Sequence, residues 1–270
     1  MKALYKIIAT VFIVVSSFNS AAVTTAYDTI AEESVKDTFY YRADAGVNYD
    51  KPIGYFIKDG VSEYRIVIPE NATKNEEYAA NIIKNYFQDM TEYRLQIVGD
   101  GSETFSTDNK VLSVGKTIYK KNVDLSDVDY DDLSTGGFIT KSFGNVFVID
   151  SSSKNGLIYA AYNFLEIFFG LEFLTENYTY VPHVATAVAY ETDITDIPYF
   201  PFRDYYATMS LYKGVDLGAR FRMNSNTYHP DPDVFDGNMY YTYSCDYNGS
   251  KFYSASMGHT IIMWLAADAY

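Results

Sequence analysis

The chain has 270 residues, a formal net charge of -14 and a single cysteine. Binding to nucleic acid depends on basic groups that neutralise phosphates, so this charge balance excludes nucleic acid as a partner. The lone Cys245 excludes an intramolecular disulfide framework, so stability must come from the hydrophobic core.

The N-terminus has the pattern of a secretory signal peptide. Lys2 and Lys6 precede an apolar run over residues 7–15, and small residues follow up to Ala26. An uncleaved anchor is the alternative, but the run is shorter than the about 20 residues that a membrane span needs. We therefore predict a signal peptide over 1–26 and an extracellular, secreted or cell-surface bacterial protein with no membrane contact after cleavage. Residues 27–51 are polar and predict a linker or disordered lead-in.

The next part of the chain alternates strand-like and helix-like patterns. Residues 64–69, "YRIVIP", alternate as a strand does, and residues 71–91 place apolar side chains on one helical face. Two strand-like segments follow at 94–99 and 110–115, each closed by glycine. An acidic loop over 124–132 is read as a solvated loop, with a cation site as the less favoured alternative.

Residues 136–150 form the clearest hairpin pattern, with two apolar-rich strands joined across a turn. The apolar run 154–174 comes directly after it. Its apolar residues recur at helical spacing, while Asn163 and Glu166 lie mid-run on another face. An ionised Glu at the centre of a bilayer is costly, so we predict a core helix rather than a membrane anchor. Gly170 is the predicted end of this helix.

Together these elements predict an α/β fold for residues 52–190. We expect a sandwich in which a mixed or antiparallel sheet carries two helices on one face. Residues 183–198 are read as an interdomain connection, and residues 191–270 as a second domain.

The order of these elements resembles a known domain. It is similar to the small N-terminal domain of family 20 hexosaminidases and family 67 α-glucuronidases. The resemblance rests on a strand, the helix "NEEYAANIIKNYFQDMTEYRLQI", the segment "VLSVGKT", and then the hairpin, the Ser/Asn/Gly loop, the "YAAYNFLE" helix and "GLEFL". They also resemble a bacterial family of secreted glycosidase-like proteins that places this domain before a barrel. The resemblance implies that this domain is not catalytic and packs against a (β/α) barrel.

The segment "PYFPFRD" resembles the start of the first barrel strand of family 20. The resemblance implies that Arg203 binds sugar hydroxyls, to which a planar guanidinium can donate paired hydrogen bonds. Asp204 stands where family 20 usually has glycine, which leaves the exact substrate open. The alternative is that Arg203 and Asp204 form a pair that holds the two domains together.

Three further residues are predicted to bind substrate. Asn224 and His229 loosely match polar residues at the second barrel strand of family 20, and His259 lies in a Gly-His-Thr segment similar to one in the bacterial family. His259 could serve as a hydrogen-bonding partner or general acid/base. Asp231, Asp233 and the acidic residue after them fail the EF-hand spacing, so the sequence predicts no metal and no cofactor.

The 270-residue chain leaves too few residues after Pro198 for a complete eightfold barrel, which needs about 250. We therefore expect the incomplete start of a barrel, without the carboxylate pair that glycosidases need. The predicted function is an accessory domain plus truncated barrel of a secreted glycoside hydrolase, inactive alone, with carbohydrate or glycan as partner. The alternative is a non-catalytic extracellular protein that binds glycan through its 28 tyrosines.

Overall fold

The computed structural model describes residues 46–175, 178–200, 203, 217–223, 233–234, 244–247 and 250–253. The strands are β1 Val47–Ile57, β2 Arg65–Ile68, β3 Ile97–Gly99, β4 Val111–Val114, β5 Phe138–Phe143, β6 Val146–Asp150, β7 Glu172–Thr175, β8 Tyr178–Tyr180, β9 Ala187–Asp196, β10 Ser244–Tyr247 and β11 Ser250–Tyr253. The α-helices are α1 Lys74–Thr91, α2 Ile118–Lys121, α3 Lys154–Phe169 and α4 Leu217–Arg220.

A seven-stranded mixed sheet forms the centre of the fold, in the order β1-β9-β5-β6-β4-β2-β3. Strands β3, β2, β4 and β6 are parallel neighbours, whereas β5 is antiparallel to both β6 and β9, and β1 is antiparallel to β9. The hairpin predicted over 136–150 is confirmed as β5 and β6. The α/β fold class with a mixed sheet is confirmed as well.

The period-2 alternation of the strands gives the sheet two apolar faces. In β6, Phe147 and Ile149 point to one face and Val146 and Val148 to the other. Helices α1 and α3 cover the first face, as the sequence predicts. The core there is rich in aromatic rings, and the ring of the fully buried Phe56 contacts five others.

The second face is covered by α2 and by the acidic loop, which is more than a solvated loop. Tyr119 of α2 and Leu133 are fully buried against Val67, Ile139 and other strand residues. The acidic side chains of this loop alternate with apolar ones that pack partly buried on the same cluster, namely Val123, Leu125, Val128 and Tyr130. The acidic loop therefore stabilises the sheet through its apolar residues.

Two predicted boundaries differ from the structure. Strand β1 begins at Val47, where Val47 faces Thr192 of β9, so the lead-in predicted over 27–51 extends too far into the fold. Residues 183–198, read as an interdomain connection, contain β9, which lies between β1 and β5. The exposed Glu191, Asp193 and Thr195 make this segment look like a linker, but they alternate with the buried Thr192 and Ile194. The last strand of the seven-stranded sheet therefore extends to Asp196, beyond residue 190.

Helix α3 ends at Gly170, whose φ of 74° lies in the left-handed region that favours glycine. The run 154–174 is thus a core helix followed by β7, which pairs with β8. Among the helices in the described ranges, no helix combines the length and the apolar character needed to cross a membrane.

Candidate functional site

Arg203 is the predicted site residue that the structure describes, and it lies against the α/β domain. Its Nε donates to the carbonyl oxygen of Arg222 at 2.7 Å, its Nη1 to that of Phe200 at 2.8 Å and its Nη2 to that of Thr135 at 3.1 Å. Three N–H groups of the guanidinium are therefore directed at main-chain carbonyls. Through these bonds Arg203 staples Phe200 and Arg222 to Thr135 of the α/β domain. The contact with sugar hydroxyls and the pair with Asp204 both stay predictions.

The place of Arg203 is set by Tyr159 on α3 and by Gly136. The guanidinium carbon lies 5.9 Å from the centroid of the Tyr159 ring, and burial lowers the pKa of Arg203. Gly136 has a φ of 99°, and a Cβ there would lie 2.6 Å from Arg203 Nη2. Only glycine leaves room for the guanidinium and accepts this backbone conformation.

Two more arginines dock residues 217–223 on the domain, Arg222 on the same helix and Arg220 on strand β7. We call Arg203, Arg220 and Arg222 the arginine cluster. Arg222 forms a bidentate ion pair with Glu166 of α3, although its own φ of 55° is left-handed. Arg220 lies over the ring of Phe173, 5.2 Å from its centroid. The mid-run Glu166 that argued against a membrane anchor thus has its partner here.

The hydroxyl of Tyr159 completes this contact by donating to the carbonyl oxygen of Met223 at 2.8 Å. One turn further along α3, Asn163 is fully buried, and neither atom of its amide has a hydrogen-bond partner among the described residues. The face of α3 that carries Tyr159 and Glu166 therefore makes polar contacts with residues 217–223.

The other predicted site residues, Asp204, Asn224, His229 and His259, lie outside the described residues. Within the described ranges, no group of His, Cys, Asp and Glu side chains is arranged to hold a metal ion.

A cavity of about 660 Å³ opens at the carboxyl ends of the parallel strands β2, β4 and β6. Its walls come from the loop before α1, the turn after β4, the loop before α3, and Asp233. The lining residues are Pro69, Asn71, Ala72, Thr73, Lys74, Asn75, Glu76, Lys116, Asp150, Ser151, Ser152, Ser153, Lys154, Leu157 and Asp233.

Glu76 forms part of this cavity and holds two of its walls together. The carboxylate accepts hydrogen bonds from the main-chain N–H of Thr73 at 2.8 Å and from that of Lys116 at 3.0 Å. Thr73 and Glu76 also form a capping box at the start of α1. The turn after β4 is thereby fixed to the first turn of α1.

The sequence did not single out these cavity residues. The available signal was positional, because Asn71 follows the strand pattern of β2 and the run Ser151–Ser153 follows that of β6. The carboxyl ends of neighbouring parallel strands meet at one edge of a sheet, but the parallel pairing of β2, β4 and β6 had to be known first.

Several solved structures match part of this chain at low sequence identity. A family 20 β-N-acetylhexosaminidase from Streptomyces coelicolor A3(2) matches with a TM-score of 0.42 and 14% identity, over 68% of this chain and 34% of its own. A family 20 exo-β-N-acetylglucosaminidase from Vibrio harveyi matches with a TM-score of 0.37 and 16% identity, over 68% of this chain and 25% of its own. The structure named CpGH84D matches with a TM-score of 0.41 and 14% identity, over 67% of this chain and 30% of its own.

The chain thus spans about a third or less of these structures. No protein-family model matches the sequence, and no curated protein matches it significantly.

Proposed function

We propose that the α/β domain is the non-catalytic accessory domain of a secreted carbohydrate-active protein, and that the residues after it begin a (β/α) barrel. The parent protein is proposed to be a glycoside hydrolase that acts on polysaccharide or glycan. The chain of 270 residues is proposed to be inactive alone.

The observation that carries this proposal is the docking of residues 217–223 on α3. The helix that resembles the "YAAYNFLE" helix of the accessory domains presents Tyr159 and Glu166 outward, and both contact chain from beyond the sheet. An accessory domain needs such a surface for the domain that follows it. The polar contacts of the arginine cluster resemble those of interfaces between domains, which are more polar than cores.

The same geometry assigns no bond-breaking role to the arginine cluster. A glycosidase ordinarily needs two carboxyl groups that flank the scissile bond. Glu166, a carboxylate at this surface, is engaged in a bidentate pair with Arg222. We therefore assign the cluster to domain contact and expect the catalytic acids to come from other parts of the parent protein.

The test is to sequence the gene across and beyond codon 270 and to express both the 270-residue chain and any longer product of the reading frame. Both are assayed on aryl glycosides that include N-acetyl-β-hexosaminides and glucuronides. Turnover by the longer product alone supports the proposal. A stop codon directly after codon 270, with no turnover by the chain, overturns the hydrolase assignment.

A second candidate function, glycan binding without catalysis, is favoured by the outer face of β8. Tyr178 and Tyr180 lie two residues apart on this strand and are 57% and 46% exposed. Side chains at this spacing point to the same face of a strand, and tyrosine offers both a stacking ring and a hydroxyl. This candidate predicts that the chain binds insoluble glycan in a pull-down assay, and that changing both tyrosines to Ala abolishes binding while Arg203→Ala leaves it intact.

A further inference from the structure

The cavity at the sheet edge lies where the connections of the parallel strands diverge. The chain after β2 enters α1 on one face of the sheet, whereas the chain after β4 enters α2 on the other face. Adjacent strands whose connections leave to opposite faces open a crevice outside their carboxyl ends, and ligands of open α/β sheets bind there. The volume of about 660 Å³ falls within the range of about 300–1,000 Å³ for pockets that hold small molecules.

Most of the residues that line this cavity have polar side chains, and their charges balance. Three lysines, Lys74, Lys116 and Lys154, are matched by three carboxylates, Glu76, Asp150 and Asp233. The remaining polar groups are hydroxyls and amides that can both donate and accept hydrogen bonds. They belong to Asn71, Thr73, Asn75, Ser151, Ser152 and Ser153.

The carboxylates make the cavity a poor site for an anion. Glu76 lies at the start of α1, where it already occupies the positive end of the helix as part of the capping box. Asp233 pairs with Lys74 at 3.3 Å, and the buried Asp150 pairs with Lys120. These contacts already use the positive groups nearest to the carboxylates, and the three lysines and three carboxylates of the lining balance, so the lining favours a neutral ligand with many hydroxyl groups over a phosphate or carboxylate.

The walls are held in place before any ligand binds. Ser151 Oγ donates to the carbonyl oxygen of Gly137 at 2.6 Å, and Ser153 Oγ accepts from the N–H of Gly156 at 3.0 Å as the N-cap of α3. Asn75 Nδ2 donates to the carbonyl oxygen of Lys154 at 3.0 Å, which joins the starts of α1 and α3. Because these side chains are already ordered, less conformational entropy is lost when a ligand binds.

We propose that this cavity is a binding site for a neutral carbohydrate of one or two sugar units. Ser152 and Asn71 are exposed at its rim, where they contact the hydroxyls of the sugar. The choice of carbohydrate among neutral polyhydroxylated ligands rests on the proposed function. The site is separate from the arginine cluster, and it gives the accessory domain a glycan contact of its own.

The experiment is an NMR titration of the signal-free chain, which follows the amide signals of residues 151–156. The probes are N-acetylglucosamine, its β-1,4-linked disaccharide and inorganic phosphate. Ser152→Trp places a bulky ring in the cavity from an exposed position. Ser126→Trp is the matched control, because Ser126 is equally exposed but lies in the acidic loop and not in the cavity.

We expect saturable shifts with a sugar, an affinity at least about tenfold weaker in Ser152→Trp, and an unchanged affinity in Ser126→Trp. Asn71→Ala, which removes an exposed amide without adding bulk, should weaken binding in the same direction. Shifts with phosphate alone, no shifts with either sugar, or equal affinities in all variants would overturn the proposal. The titration uses the chain without residues 1–26 and measures no turnover, so sugar binding here stands even where the reading frame yields no glycosidase.

Discussion

Replacing Arg203 with alanine should release residues 217–223 from the α/β domain. The bond to Phe200 is exposed and contributes little, while the bonds to Arg222 and Thr135 are partly buried. At about 1–1.5 kcal/mol for each of these two bonds, the loss is about 2–3 kcal/mol. This free energy belongs to local docking, because the two sheet-face cores do not include Arg203.

Hydrogen exchange measures this loss directly. The N–H groups of Arg222 and Met223 donate to the carbonyls of Ala219 and Gly218 at 3.1 and 2.7 Å, so they report whether the segment is docked. A change of about 2–3 kcal/mol corresponds to about 30- to 150-fold faster exchange of these amides in Arg203→Ala. The exposed Arg94 supplies the matched control, and Arg94→Ala should leave the rates unchanged.

The variant Arg203→Lys tests whether docking depends on the planar guanidinium or only on the positive charge. A lysine keeps the positive charge but cannot direct three donors in one plane, so we expect exchange nearly as fast as in Arg203→Ala. Unchanged exchange in Arg203→Ala would refute the stapling role. If such a variant also lost sugar binding, Arg203 would act in the way that the family resemblance implies.

Three further predictions concern stability. Gly136→Ala should cost about 1–3 kcal/mol in the free energy of unfolding, measured by urea denaturation, because the φ of 99° and the approach of Arg203 exclude a Cβ. Phe56→Ala should cost about 3–5 kcal/mol and lower the melting temperature by at least about 6 °C, and a smaller fall would show that the neighbouring rings close the cavity. The hydrogen bonds from Arg65 hold the pKa of Glu103 in the folded chain below its usual range. The ionised Glu103 therefore stabilises the fold at a pH above the pKa that this carboxyl has in the unfolded chain, and this stabilisation is lost as the pH falls through the pKa of Glu103 in the folded chain. In Glu103→Gln the free energy of unfolding should therefore fall less steeply as the pH is lowered. A pH dependence identical to that of the unchanged chain would contradict this role of Glu103.

The elements with a strong local pattern were predictable from the sequence. The hairpin of β5 and β6 and the helices α1 and α3 follow from apolar spacing, and Gly170 marks the end of α3 by its conformational freedom. Strand β9 was missed because its signal is not local. Its small and polar residues become a strand only through pairing with β1 and β5, which lie far away in the sequence.

The candidate site was likewise predictable only in part. Arg203 was predicted from a motif, but two of its three acceptors, the carbonyls of Arg222 and Thr135, are distant in sequence, and no local pattern indicates them. The cavity depends on which strands are parallel, and it joins loops that start about 80 residues apart, as in the bond from Asn75 to Lys154. A sequence motif gives the residue type, whereas the contacts of that residue follow from the topology.

The position of β9 sets the order in which this chain can fold during synthesis. Among the strands of the seven-stranded sheet, β1 is made first, yet it pairs within that sheet with β9, whose residues are made last. Until Asp196 has left the ribosome, the edge of β5 that pairs with β9 is unpaired, and β1 cannot join the sheet. Pairing across such a long separation is slow, and an open strand edge can pair with another chain. The period between the synthesis of β6 and that of β9 is therefore when the nascent chain most needs protection from aggregation.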